Sequence, residues 1–203
     1  MAPPSPAEPP DARRILEGQL RECYGRVVYS HKTHEKCADI LLARHSCIKV
    51  SQIVLSALTT AGFVSTFFEQ TSTIGKAVGF AFSTALLVLT AYTKDYDLGE
   101  LAQKHRQSAS DIWLIRERYL SLLTDLASDA KPIDALREVR DKLAEALHTV
   151  YAGSPSTTYA AYRKAQAALQ KHQDMTFADA EIDAFLPSEL KRGKEQPAKT
   201  PAG

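Results

Sequence analysis

The stretch Ile53–Phe68, "IVLSALTTAGFVSTFF", carries no charge and is rich in Ser, Thr, Gly and Ala. Extended back to Val50 it is an uncharged run of 19 residues. A bilayer core of about 30 Å takes roughly 20 mostly apolar helical residues, so the run has the length of a membrane span. The polar connection "EQTST", Glu69–Thr73, follows it. Then "IGKAVGFAFSTALLVLTAY" runs from Ile74 to Tyr92, charged only at Lys76, whose stem can carry its ammonium to an interface. A helix apolar on every face needs apolar surroundings. Two such runs joined by a short polar link read as an antiparallel hairpin with spans at about 50–68 and 74–93. The competing reading is a soluble bundle with two unusually apolar helices.

Lys and Arg in the flanks set the orientation. Lys32, Lys36, Arg44 and Lys49 precede the first run, Lys94, Lys104 and Arg106 follow the second, and the segment between them, counted for charge as Glu69–Lys76, holds Lys76 alone. Both termini are therefore expected in the cytoplasm. Cys23, Cys37 and Cys47, crowded on one helix-like segment, make a poor disulfide framework and fit a reducing compartment.

Outside the hairpin the pattern is helical and no strand-type alternation appears, so the expected class is all-α. Residues 11–49 form an amphipathic helix with two competing phases. One runs Leu20, Tyr24, Val27, His31, His34, Ala38, Leu41, His45, Ile48; the other runs Leu16, Leu20, Cys23, Val27, Ser30, His34, Cys37, Leu41. Leu20, Val27, His34, Leu41 and Ile48 are the core expectations, and His31, His34, His45 and His105 are read as core histidines. Residues 94–186 continue as cytoplasmic helices. The first has the seam Leu98, Leu101, His105, Ser108, Ile112, Ile115, Tyr119, Leu122, Leu126, with Trp113 expected in the core. Pro132 opens the next, to about Tyr151. Another is expected from about Pro155 to His172, and a last one behind a capping box of Thr176 and Asp179. These last helices make a C-terminal bundle. The proline-rich opening, 1–10, and the polar close, 187–203, are expected to be disordered, and no secretory leader is read in the opening.

Small residues recur every four positions at Ala57, Ala61 and Ser65, and at Gly75, Gly79 and Ser83. Such stripes let helix backbones approach in lipid, within the hairpin or between subunits. Carried upward, the first seam reaches Gln52, Leu55, Thr59, Gly62 and Thr66. Gln52, Ser56, Thr59 and Thr66 then form a polar stripe, either a hydrogen-bonded seam or the lining of a wet path. One hairpin cannot enclose a path, so a pore requires a homo-oligomer in the lipid bilayer.

His31, His34 and Cys37, with Glu35 between them, supply too few converging ligands for a metal site. Polar layers of a helical core explain them better, and a pH-sensing role falls mainly to His34. The sequence shows neither a nucleophile–base pair nor a phosphate loop. No enzyme activity, cofactor, metal or nucleic-acid partner is expected, and the formal net charge of +1 agrees with the last.

Three stretches resemble a known family: "ARHSCIKVSQIVLSALTT" entering the first span, "AYTKDYDLGELAQKHRQSASDIWLIRERYLSLLTDL" leaving the second, and "YAGSPSTTYAAYRKAQAAL…TFADAEIDAFLPSEL". The chain resembles the SLATT-domain proteins, bacterial two-span effectors, over roughly Leu16–Leu190. The resemblance implies a pore-forming effector of the bacterial inner membrane in an anti-phage system, silent until a signal arrives. It also implies a sensor or nucleotide-signal synthetase encoded nearby. It carries over no catalytic residue. The alternative is a non-channel helical scaffold, membrane-anchored or soluble, that docks a partner protein.

Overall fold

The computed structural model describes residues 10–65 and 73–187, and among them there are helices and no strand. In chain order these are α1 (Pro10–Ser65), α2 (Thr73–Asp95), α3 (Leu98–Ala127), α4 (Ile133–Gly153), α5 (Tyr159–Lys171) and α6 (Asp179–Phe185). The chain is all-α, as its periodicity indicates. Thr66 and the rest of 66–72 lie outside the described residues, as do 1–9 and 188–203.

No helix break separates the amphipathic part of α1 from the first apolar run. α1 runs unbroken for 56 residues, about 84 Å at 1.5 Å per residue. Neither Gly nor Pro stands between Arg26 and Ala61 to interrupt it. The change along α1 is one of surroundings. Its N-terminal part packs against α3, and its C-terminal part pairs with α2 as an apolar hairpin.

The far end of the stem holds the apolar core. Leu16, Leu20 and Val27 of α1 meet Ile112, Ile115, Tyr119, Leu122 and Leu126 of α3 and Ile133, Leu136 and Leu143 of α4. The turn that returns α4 onto this core is pinned from α1. Arg13 donates to the carbonyl oxygen of Lys131 at 2.8 Å and pairs with Asp129 at 2.6 Å. Asp129 takes the left-handed conformation, φ 55°, that ends α3, where Ala130 N–H reaches the Asp125 carbonyl at 3.1 Å.

Both phases of α1 are used. Leu20, Val27, His31, His34 and Ala38 are buried, and so are Leu16 and Cys37 of the competing phase. The buried arc is wide because α1 meets more than one helix. Leu41, His45 and Ile48 are only half-buried, since the distal α4 is absent at that level. On α3 the inner face uses Ala102 and Ala109 beside the expected residues, while Leu101 and Trp113 are exposed. Trp113 is thus not a core residue: it lies one position beyond Ile112, off the face that meets α1.

α5 starts later than expected. Ser154, preceding Pro155, is extended at φ −86°, ψ 144°, the conformation a following proline favours. Thr158 is the cap, its hydroxyl accepting from Ala161 N–H at 3.3 Å and its carbonyl from Tyr162 N–H at 3.0 Å. Contacts divide the chain into two compact units, 1–165 and 166–203. In the second, Ala178 caps α6 without a side-chain bond. The Thr176 hydroxyl donates to the Gln173 carbonyl instead, so the expected capping box does not form.

Candidate functional site

The apolar hairpin has an inner seam and an outer surface. Inside, Gln52, Leu55, Thr59 and Gly62 of α1 are half-buried, as are Gly79, Phe82, Leu86, Leu89 and Thr93 of α2. The alternate spacing by three and four is that of a two-helix seam. At one end Gln52 Nε2 donates to Thr93 Oγ1 at 3.3 Å. At the other, a Cβ on Gly62 would come 3.8 Å from the Gly79 Cα, so the backbones approach closely there. Thr59 returns its hydroxyl to the Leu55 carbonyl at 2.8 Å. Gln52 and Thr59 thus lie on the side of α1 that meets α2, with the Gln52 amide nitrogen and the Thr59 hydroxyl each donating within the chain.

Outside, large apolar side chains stand free: Ile53 is 69% exposed, Phe80 76% and Leu87 70%. The most apolar windows of the two long helices have mean hydropathies of 1.5 and 1.4, and 0% of either is buried. None of the described residues covers them. Ala57, Ala61, Gly75 and Ser83 are exposed, Gly79 is half-buried, and the Ser65 side chain lies outside the described residues. Helical geometry puts Ala57 and Ala61 on the side of α1 away from α2. Ser56 and Thr60 on α1 and Ser83 and Thr90 on α2 are exposed, and in an antiparallel pair their positions fall along one flank of the hairpin.

At the base of the hairpin α2 gives way to α3. Asp97 caps α3 by accepting from Glu100 N–H at 2.9 Å. That bond holds its carboxyl below the usual carboxylate range, with His45 and Lys49 adding to it. A Cβ at Gly99 would lie 3.1 Å from Asp97 Oδ1 and 3.4 Å from His45 Cε1. Glycine is what lets His45 sit over this turn.

Below the base, the stem core turns polar. His34 Nδ1 and His105 Nδ1 lie 3.0 Å apart in a buried pair, one donating and the other accepting. Burial, with the His105 and His31 charges adding, pushes His34 down to about 4, and burial also lowers His105. His31 is lowered by burial against the opposing pull of Glu35, 3.7 Å away, and its Nδ1 has no hydrogen-bond partner. Among the described residues no three His, Cys, Asp or Glu converge on a metal position. The His34–His105 pair was not named from sequence, although each residue was placed on the seam of its own helix. The Gln52–Thr93 bond was not named either, and Thr93 was on no seam read from the sequence.

An uncovered apolar hairpin on a helical stem is a membrane architecture, and the family match agrees with it. The model of the SMODS and SLOG-associating 2TM effector domain family 4 matches residues 16–181. The chain belongs to this family. The 2TM of the family description corresponds to the two uncovered helices, so α1 and α2 supply the membrane-associated part of this effector domain. No curated protein and no solved structure matches the chain.

Proposed function

We propose that this 2TM effector domain permeabilises the bacterial inner membrane as a homo-oligomer when a partner protein or nucleotide signal triggers it. The observation that carries the reading is the hairpin itself. It is apolar and uncovered, and it bears a flank of hydroxyls that insertion does not require. In an oligomer Ala57 and Ala61 offer a close packing surface, and Ser56, with Thr60, Ser83 and Thr90, lines the path. Gln52 and Thr59, held in the seam, border it. The basic flanks support both termini in the cytoplasm. The signal is supplied by a sensor or synthetase encoded nearby, and neither cofactor nor nucleic acid takes part.

Ion flux from liposomes, with and without the product of the neighbouring gene, tests this. Ser56→Leu with Thr60→Leu should insert at least as well as wild type and cut flux about tenfold or more, because a conducting path needs polar lining. Equal flux removes the flank from the path. Should wild type release no ions with its partner present, the scaffold reading replaces the channel. Reporter fusions after Gln70 and after Lys94 should report opposite sides of the membrane; the same side for both contradicts the hairpin topology.

A further inference from the structure

A cleft of about 180 Å³ opens between α1, α3 and the segment leading into α5, with Arg44, His105, Ser156, Thr158 and Ala160 in its lining. Its chemistry is one-sided. Arg44 brings a guanidinium that makes no ion pair with the described residues. The Thr158 cap engages the N–H groups of Ala161 and Tyr162, which leaves those of Tyr159 and Ala160, at the positive end of a 13-residue helix. His105 is only 3% exposed, and its Nδ1 is taken by His34. Its Nε2 has no partner among the described residues, and this nearly buried ring is part of the cleft lining. Ser156 adds a hydroxyl. No carboxylate lines the cleft, and Ile40, Leu41 and Leu101 give it an apolar wall.

We propose that this cleft binds a compact phosphate ester. A guanidinium, unused helix N–H groups and a neutral imidazole N–H are the donors that recognise phosphate oxygens. The cleft volume limits the rest of the ligand to a small body against the apolar wall. Anion binding also fixes the imidazole pair: with His105 Nε2–H turned to the phosphate, His105 Nδ1 accepts and His34 Nδ1–H donates. Two sources offer this chemistry, a soluble phosphate ester and a lipid headgroup. Arg44 lies six residues before Val50, about 9 Å along the helix, within reach of headgroups. The lipid source rests on the membrane reading above; the soluble source does not.

The test uses the full chain in detergent with inorganic phosphate, and in nanodiscs with phosphatidylglycerol added to phosphatidylcholine. Arg44 is exposed, so Arg44→Gln leaves the fold intact; Lys49→Gln, outside the cleft, is the charge control. We expect phosphate to shift the ¹⁵N resonance of His105 Nε2 and Arg44→Gln to weaken binding about tenfold, with Lys49→Gln near wild type. Binding of inorganic phosphate in detergent assigns the soluble source even if the chain never enters a bilayer. A response confined to phosphatidylglycerol, with the same Arg44 dependence, assigns the headgroup. The proposal is overturned if neither probe binds, if Lys49→Gln weakens binding as much as Arg44→Gln, or if the His105 resonance stays still while phosphate binds.

Discussion

Single residues divide the stem into a sealed apolar end and a polar middle. His34 and His105 sit in the middle as a neutral pair, 3.0 Å apart, with His31 one turn away from His34. Glu35, Lys32, Arg116 and Glu117 act on that turn from α1 and α3. The sign of the pH response follows from the lowered values. Well above pH 6.5 these rings are neutral whether the chain is folded or not. As pH falls toward 4, the unfolded chain takes up protons that folded His34 refuses, so stability falls. For His34 alone, lowered to about 4, the loss by that pH is about 3 kcal/mol. Thermal unfolding in detergent should therefore show Tm dropping steeply between pH 6.5 and 4. His34→Leu with His105→Leu, which replaces both partners by apolar groups, should flatten that drop at little expense at pH 7.5. An unchanged slope would shift the acid sensitivity to other groups.

At the scale of elements, the hairpin depends on close approach at one end and on a side-chain hydrogen bond at the other. Gly62 and Gly79 are not equivalent. A Cβ on Gly62 would meet the Gly79 backbone at 3.8 Å, whereas one on Gly79 meets nothing within 4 Å. Gly79→Ala should leave the α1–α2 pairing unchanged. Gly62→Leu, with no room beyond the first carbon, should push the helices apart at that level. Disulfide trapping between cysteines placed at Leu55 and Leu86 reads the separation, with crosslinking expected to fall at least about threefold for Gly62→Leu. If Gly79→Ala disrupts trapping as strongly, the asymmetry drawn from the backbone is wrong. The two passages between stem and hairpin differ as well. α1 passes from stem to hairpin without a joint, while α2 and α3 are separate helices joined at Tyr96–Asp97.

For the whole molecule, that difference makes α1 a single rod linking the distal core to the hairpin. On the function proposed above, a trigger acting where α3 and α4 pack on α1 has this continuous helix as its route to the apolar end. Breaking the rod tests the route. Ser46 is exposed and central, and Ser46→Pro removes a helix hydrogen bond and kinks the chain at a cost of about 3 kcal/mol. The variant should still insert and oligomerise, yet triggered flux should fall about tenfold or more. Flux at wild-type level would show that stem and hairpin work independently.

Much of this architecture was legible in the sequence because it follows from local pattern. Uncharged runs of span length fix the two apolar helices, and spacing by three and four fixes the seams Leu20–Ala38 and His105–Leu126. Both signals are carried by neighbouring residues and need no fold to be read. Tertiary structure decided what pattern leaves open. Periodicity places Gln52 and Thr59 on a face, but only the position of α2 makes that face the inside of the hairpin. It gives two phases to α1, and only the helices gathered around α1 explain why both are buried. It leaves Trp113 next to the seam, and the rotation of α3 puts it in solvent. Pro155 suggested a first turn, whereas the extended residue before it and the Thr158 cap moved the helix start. The His34–His105 pair and the Arg44 cleft join residues from distant helices or connecting segments. A sequence can give each residue a face, but which faces meet is set by packing among helices that are remote along the chain.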